Sequence, residues 1–159
     1  MIRVLVDTNV VIDSFAQRGE FALAADRLID YMEEDRMQAY ITASTATDIF
    51  HLLVRMLGKE RGRERFVDIF DTFGVVSVTG ENCREALRSG IWDFEDALLI
   101  RCAEKIEADA IVTRDEALLT NSYARGLMNP QEFVDRMEAG LFHTTLHEDE
   151  DIRYYAGEK

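Results

Sequence analysis

The chain of 159 residues carries 18 Lys and Arg against 31 Asp and Glu, a formal net charge of −13 at pH 7. Its hydrophobic fraction of 47% is that of a globular protein with a sizeable core, which excludes wholesale disorder. The charge excludes unaided attraction to a phosphate backbone, because a field this negative repels polyanions.

Short β-rich segments alternate with segments of helical periodicity along the chain. The predicted strands are 2–6, 38–42, 75–78 and 110–113, with 141–146 as an open fifth. Helices are predicted between them wherever cap residues, apolar spacing and glycine stops agree. In chain order these helices begin after Asp7, at Ser44 and Thr45, at Lys59, at Thr79, at Asp93 and at Asn129.

This alternation predicts an α/β protein with a mostly parallel sheet of four to five strands and helices on both of its faces. No repeat or linker interrupts the pattern, so residues 1–140 are predicted to form one domain. Residues 141–159 contain the acidic run from His147 to Asp151 and are predicted to be an acidic, mobile C-terminal extension.

Carboxylates follow the predicted strands and begin the predicted crossover helices. Asp7 directly follows strand 2–6, and Asp115 closely follows strand 110–113. Asp93 and Asp96 are three residues apart at the start of one crossover helix, and Asp48 lies early in another. Because crossover helices begin at the edge where parallel strands end, all five acids are expected at one rim of the sheet.

So many carboxylates at one rim would repel each other unless cations neutralised them. Neither Cys nor His joins the set, and oxygen ligands suit Mg²⁺ or Mn²⁺ rather than zinc. Two such ions can clamp the attacking and departing oxygens of a phosphodiester and activate water. The spacing therefore predicts an acidic pocket that gathers Asp7, Asp48, Asp96 and Asp115 and binds divalent cations.

Purely local roles for these acids stay open. Asp93 is a plausible helix N-cap, Asp115 could cap a short helix at Glu116–Leu119, and Asp48 could be a solvated helix residue. Asp7 is harder to explain in this way, because an acid that ends a buried strand is costly without a partner.

Five segments resemble, in order and spacing, the PIN-domain nucleases, the family that includes the VapC-like toxins. They are 4–13 (VLVDTNVVID), 41–49 (ITASTATDI), 93–98 (DFEDAL), 111–115 (IVTRD) and 129–133 (NPQEF). The resemblance implies a three-layer α/β/α sandwich and a Mg²⁺- or Mn²⁺-dependent endonuclease that acts on RNA. It also implies that Asp7, Asp96 and Asp115 hold the metal, with Asp93 as an accessory ligand or a helix cap.

The chain departs from the family pattern at two positions. Asp48 stands where many members place Glu, so its implied role is that of a ligand or of a group that orients water. Many members have a neutral residue after Thr-Arg and an acid further on, which leaves the register of Asp115 open. Residues beyond Gly140 have no counterpart in the resemblance.

The resemblance also implies partners. VapC-like members pair with a small antitoxin whose inserted segment often carries Arg, and a charge of −13 suits a basic partner. The apolar helix around 49–57 could bury a homodimer interface, or it could be core. A catalytically silent interaction module that keeps the PIN fold is the alternative to an enzyme.

Three other classes of protein fit the residues less well. A phosphatase of the haloacid dehalogenase type needs a second Asp two residues after the first, where this chain has Asn9. A phospho-receiver domain needs a Lys on the last strand, and 109–115 contains none. A nucleotide-binding loop needs glycines after the first strand, and 7–10 contains none.

Three surface features could bind ligands. A group of cations at Arg55, Lys59, Arg61, Arg63 and Arg65 could track an RNA backbone or be a solvated helix face with internal ion pairs. The spacing of His143 and His147 could hold a metal, although Thr144 and Thr145 favour an extended chain that separates the rings. Trp92, next to Asp93, could stack on a base, although packing is the expected role.

The location expected from the sequence is the cytoplasm. Cys83 and Cys102 stand in no redox or metal-binding spacing and read as small apolar residues of a reducing compartment. The longest apolar runs are far too short to span a bilayer, and the first residues enter a strand rather than a secretory signal. No membrane partner is therefore expected.

Overall fold

The computed structural model describes residues 1–17, 19–122, 124 and 126–142. In this part of the chain the strands are β1 Ile2–Val6, β2 Met37–Thr42, β3 Gly74–Val76, β4 Ala110–Val112 and β5 Leu127–Met128. The helices are α1 Thr8–Phe15, α2 Ala22–Glu33, α3 Ala43–Leu57, α4 Lys59–Thr72, α5 Gly80–Arg88, α6 Phe94–Lys105, α7 Glu116–Leu119 and α8 Pro130–Glu138. A 3₁₀ turn at Gly19–Phe21 precedes α2.

The five strands form one sheet in the order β3-β2-β1-β4-β5, and every pair is parallel. β1 is the central strand: β2 and β3 lie on one side of it, and β4 and β5 lie on the other. Helices cover both faces, so the predicted α/β sandwich with a parallel sheet is confirmed. Its switch point lies between β1 and β4.

Alternate residues of the strands build two separate cores. Val4 and Val6 point into the larger core, which also contains buried residues of α1, α2, α3 and α8. Leu5 and Ile111 point into the second, where they meet α6 through Leu99 and its neighbours. The period of two in a strand gives this division, and burial on both faces accounts for the unbroken apolar run from Val4 to Val6 in β1.

Two predicted element boundaries are wrong by a few residues. The third strand was expected at 75–78, but β3 covers Gly74–Val76 and Val78 instead packs between α5 and α6. Helix α3 begins at Ala43, because the cap is the hydroxyl of Thr42, which accepts from the Thr45 amide at 3.0 Å. The predicted cap residues Ser44 and Thr45 are inside the helix.

The fifth strand does not lie where the sequence suggested. It is β5, only two residues long, and its register pairs Met128 with Val112. Of the predicted 141–146, Leu141 and Phe142 are not in a strand, and Phe142 packs on the ring of Phe133 at 5.1 Å. Residues 143–146 and both histidines of the predicted metal spacing lie outside the described residues.

Among the described residues, no helix is both long enough and apolar enough to cross a lipid bilayer.

Candidate metal centre

The acids meet at the carboxyl edge of the sheet, where β1 and β4 lie side by side. Asp7 is the first residue after β1, and its amide extends the ladder by donating to the Val112 carbonyl at 3.0 Å. Thr113 and Asp115 follow β4 at the same level. In an open parallel sheet, ligands bind in the crevice at this switch point.

Asp7 is half-buried and held by three neutral donors. Its Oδ1 accepts from the Thr8 amide, and its Oδ2 accepts from Asn9 Nδ2 and from the hydroxyl of the fully buried Thr113, all at 2.7 Å. Burial raises the pKa of Asp7 even against these hydrogen bonds, and the charge of Asp115 raises it further. Its neighbours therefore fix the geometry of this carboxylate without neutralising its charge.

Asp93 and Asp115 both cap helices. Asp93 Oδ1 accepts from the amides of Glu95 at 2.9 Å and Asp96 at 3.1 Å, at the start of α6. Asp115 Oδ1 accepts from the amides of Ala117 and Leu118, at 2.8 and 3.1 Å, at the start of α7. The local roles left open by the sequence are thus observed, but both caps also face the same pocket.

One pocket of about 260 Å³ collects these side chains from four separate segments of the chain. The residues that line it are Asp7, Thr8, Asn9, Ile12, Thr42, Ser44, Thr45, Leu52, Asp93, Glu95, Asp96, Leu99 and Asp115. Five of these described residues are acids and none is Lys, Arg or His. The pocket therefore concentrates negative charge, with no cation among its described lining residues.

Asp96 shows the effect of this charge most clearly. Its pKa is raised to about 6, chiefly by desolvation and further by the charges of Asp93, Asp115, Asp7 and Glu95. A cation that enters the pocket would stabilise the ionised form of Asp96, because the ion would supply the missing counter-charge.

Glu95 is an acid that the sequence analysis did not select. Although the residue as a whole stays exposed, its carboxyl group is partly desolvated at the pocket rim, which raises its pKa. The charges of Asp48, Asp7, Asp93 and Asp115 raise it further. A spacing of three residues places Asp93 and Asp96 on one face of a helix and does not indicate Glu95. Glu95 and Asp96 are the second and third residues of α6, and both line the pocket.

Asp48 lies apart from the other predicted acids. It is exposed in the second turn of α3 and is not among the residues that line the pocket, although Ser44, one turn earlier, is. Its charge still acts on Glu95. The structure thus brings together Asp7, Asp93, Asp96 and Asp115 and leaves Asp48 at the periphery, where its catalytic role stays a prediction.

An ion pair joins α1, which follows Asp7, to the turn that carries Asp115. The guanidinium of Arg114 pairs with Asp13 of α1, through Nε to Oδ2 and through a second nitrogen to Oδ1 at 3.0 Å. Asp13 is fully buried, and the guanidinium also lies 4.1 Å from the ring of Phe21. The Arg114 amide donates to Asn9 Oδ1 at 3.1 Å, so the turn that carries Asp115 is tied to the helix that follows Asp7.

The donor set fits a hard divalent cation, since all five charged groups in the lining offer oxygen. Within the described residues, however, no three Asp, Glu, His or Cys side chains already converge on one point that could hold an ion. Asp7, Asp93 and Asp115 are turned toward backbone amides, which explains why they share a pocket without converging. Mg²⁺ suits such a site because it keeps several waters and needs only one or two carboxylates.

The other sequence features lie outside the pocket lining. Trp92, expected to be packed, is instead 100% exposed, so the packing prediction is wrong. The five cations of 55–65 are all exposed on the α3–α4 hairpin, and within the described residues only Arg65 forms an ion pair, with Asp68 at 3.2 Å. Ile49 and Leu53 of α3 are fully buried, which makes that face of the helix core.

The fold and the site define an α/β protein with a five-stranded parallel sheet and an acidic pocket at its switch point. The sequence profile of the PIN domain family matches residues 3–117. The chain belongs to the PIN domain family, as its motifs predicted. No curated protein matches the sequence.

Solved structures share the fold at low sequence identity. DNA-bound VapBC from Salmonella typhimurium is similar with a TM-score of 0.61 and 14% identity, covering 82% of this chain and 99% of that one. A toxin-antitoxin complex from Klebsiella pneumoniae is similar with a TM-score of 0.60 and 18% identity, covering 80% of this chain and 97% of that one. VapC20 from Mycobacterium tuberculosis, described as a sarcin-ricin loop cleaving toxin, gives 0.55 and 14%, covering 68% and 86%.

Proposed function

We propose that the protein is a Mg²⁺- or Mn²⁺-dependent endoribonuclease and the toxin of a toxin–antitoxin pair. The observation that carries the proposal is the pocket of five carboxylates, with no cationic lining residue and with the pKa of Asp96 raised to about 6. Structural ion pairs explain acids of this kind elsewhere, but these acids have no such partner in the described lining. Strongly perturbed acids in a cleft indicate a functional site.

The proposed ligands are Asp7, Asp96 and Asp115, with Asp93 as an accessory ligand. A bound divalent ion would supply charge neutralisation and Lewis-acid activation of water and of the scissile phosphodiester. Thr113 orients the site, since its hydroxyl donates to Asp7 and accepts from the Asp115 amide at 3.0 Å. Glu95 and Asp48 are the proposed acceptors of the proton that the attacking water gives up.

RNA is the proposed substrate because the family resemblance points to it and because one similar structure is a sarcin-ricin loop cleaving toxin. The proposed partner is an antitoxin with a basic segment. Two of the similar structures are complexes of the VapBC or toxin-antitoxin kind, and a chain of −13 attracts a cationic partner. An Arg side chain entering the pocket would neutralise the same acids as a metal ion.

A homodimer through the exposed side of the α3–α4 hairpin, which includes Met56 and Phe70, is also proposed.

Cleavage of a mixed pool of structured and single-stranded RNA tests the enzymatic proposal. Wild type is expected to cut with Mn²⁺ or Mg²⁺ and to stop when EDTA is added. Asp96→Asn is expected to lose at least about 100-fold in rate, because one ligand charge is removed. The matched control is Asp135→Asn, an exposed acid on α8 outside the pocket, which is expected to cut like wild type. Undiminished cleavage by Asp96→Asn or in EDTA would contradict the proposal.

A further inference from the structure

The side chain of Trp92 is fully solvent-exposed beside the acidic pocket. It lies in the segment between α5 and α6, one residue before Asp93, which caps α6 and lines the pocket. Phe94, on the other side of Asp93, is 43% exposed. An indole normally buries a large apolar area, so a completely exposed one gains nothing for the stability of the isolated fold. The exposed ring therefore offers a contact surface to another molecule.

The electrostatics of the pocket limit what that molecule can be. Its described lining has five acids and no cation, so these lining residues offer no ion pair to a polyanionic substrate. The cations of 55–65 belong to the α3–α4 hairpin, and none of them lines the pocket. Stacking on an aromatic ring needs no positive charge and accepts every base, because every base has a π-face.

We propose that Trp92 is a stacking platform for an unpaired nucleobase of the RNA substrate, next to the phosphodiester that enters the pocket. The inference rests on the proposed nuclease function. The stacked base would fix the strand at the rim of the site, while the metal-binding acids act on the adjoining phosphate. Substrates would then be single-stranded loops or ends, because a base inside a duplex is already stacked on its neighbours.

Kinetics with three variants test this role. Trp92→Ala is expected to raise KM for single-stranded RNA about 10-fold while kcat changes less, since a base–aromatic stack is worth that much in affinity. Trp92→Phe keeps a ring and is expected to recover most of the loss. The control Leu87→Ala removes another highly exposed apolar side chain, 73% exposed on α5, and is expected to behave as wild type. Full exposure of Trp92 means that its replacement leaves the fold intact.

Fluorescence supplies an independent readout, because Trp92 is the only tryptophan in the chain. With the Asp96→Asn protein, which is expected not to cut, titration with a single-stranded oligoribonucleotide should quench the emission saturably. A fully paired duplex of the same sequence should not. Quenching by both, or by neither, would overturn the proposal.

Failure of the inference and failure of the proposed function are distinguishable. If wild type cleaves RNA and Trp92→Ala has an unchanged KM, the stacking role is overturned and the nuclease stands. If wild type does not cleave, the nuclease proposal fails and the fluorescence titration alone decides whether Trp92 binds bases. If Trp92→Ala shifts the sedimentation of RNA-free protein and leaves RNA binding unchanged, Trp92 is a protein contact and the proposal is overturned.

Discussion

Single residues at the switch point hold several carboxylates close together, at a cost in stability. Thr113 and Asn9 fix Asp7 with neutral donors, and the caps Asp93 and Asp115 are satisfied by backbone amides. Lys or Arg among these acids would stabilise the metal-free fold. Without such a counter-charge in the described lining, the acids repel each other, which lowers the stability of the metal-free protein and strengthens the binding of a cation.

Asp96→Asn is therefore expected to stabilise the metal-free protein. A pKa raised from 3.8 to about 6 means that the ionised group opposes folding at neutral pH. The full shift would correspond to about 3 kcal/mol, and solvent screening at this partly exposed site reduces the expected gain in free energy of unfolding to about 1 kcal/mol. Urea unfolding in EDTA at neutral pH measures it, with Asp135→Asn as the unchanged control. A loss of stability would contradict the assignment.

Arg114 is expected to matter for the fold far more than a surface arginine does. Arg114→Met removes one ion-pair partner of the fully buried Asp13, and losing a hydrogen-bonding partner of a buried polar group costs about 1–3 kcal/mol. Arg136→Met, which breaks the exposed pair with Glu132, is expected to cost less than about 1 kcal/mol. Urea unfolding of both variants compares them. Equal effects would mean that the Asp13 pair does not stabilise the turn.

The sequence could locate four of the pocket acids but not their support. Asp7 was predictable because it directly follows an apolar strand, Asp115 because it closely follows another, and Asp93 and Asp96 because their helix must start at the same rim. The pair of Asp13 and Arg114 joins residues 101 apart, and no local pattern reports such a contact. The exposure of Trp92 is not predictable from the sequence, because the apolar character of a tryptophan predicts burial, whereas its exposure depends on the path of the α5–α6 connection.

At the scale of elements, strand length decided what the sequence could reveal. β1 and β4 are largely apolar and are each followed within three residues by an acid, so their predicted and observed positions are close. β5 has only two residues, Leu127 and Met128, too few for any period to be visible. β3 was placed too far along the chain, because Val78 has strand propensity but is used to pack against α5 and α6.

The packing of α4 on α3 depends on one glycine. A Cβ at Gly62 would lie 2.7 Å from the backbone of Val54 and 2.9 Å from that of Leu53, and backbone cannot give way as a side chain can. Gly62→Ala is expected to destabilise the protein by about 1–3 kcal/mol and to separate the two helices.

The matched control for Gly62→Ala is another helical glycine with room around it. At Gly80, the first residue of α5, an added Cβ would meet nothing nearer than the tip of Arg84 at 4.0 Å. Gly80→Ala is expected to be neutral or to stabilise by about 0.5 kcal/mol. Thermal unfolding of both variants tests the pair. A Gly62→Ala protein as stable as wild type would contradict the close approach of α3 and α4.

At the scale of the whole molecule, excess negative charge should make stability depend on pH in one direction. The pKa of Asp96 is raised from 3.8 to about 6, so between about pH 4 and 6 this group binds more protons in the folded state than in the unfolded chain. The raised pKa values of Asp7 and Glu95 act in the same direction. Stability is therefore lost as pH rises through that window. The lowered pKa of Glu138 acts in the opposite sense, below its ordinary value of 4.5.

The metal-free protein is accordingly expected to be more stable at about pH 5 than at pH 7 by about 1–2 kcal/mol. Chemical denaturation in EDTA at the two pH values measures the difference. Millimolar Mn²⁺ at pH 7 is expected to remove it, because the ion replaces the protons on the same acids. A protein equally stable at both pH values would mean that the pocket acids do not interact as described.

Calorimetric titration of Mn²⁺ into metal-free protein tests the central claim most directly, because it does not depend on knowing the RNA target. Wild type and Asp135→Asn are expected to bind Mn²⁺, while Asp7→Asn and Asp96→Asn, verified as folded by circular dichroism, are expected to lose that binding. If wild type takes up no Mn²⁺ at millimolar concentration, or if both pocket variants bind as wild type does, the acidic pocket is not a metal centre. The protein would then be a catalytically silent interaction module with a PIN fold.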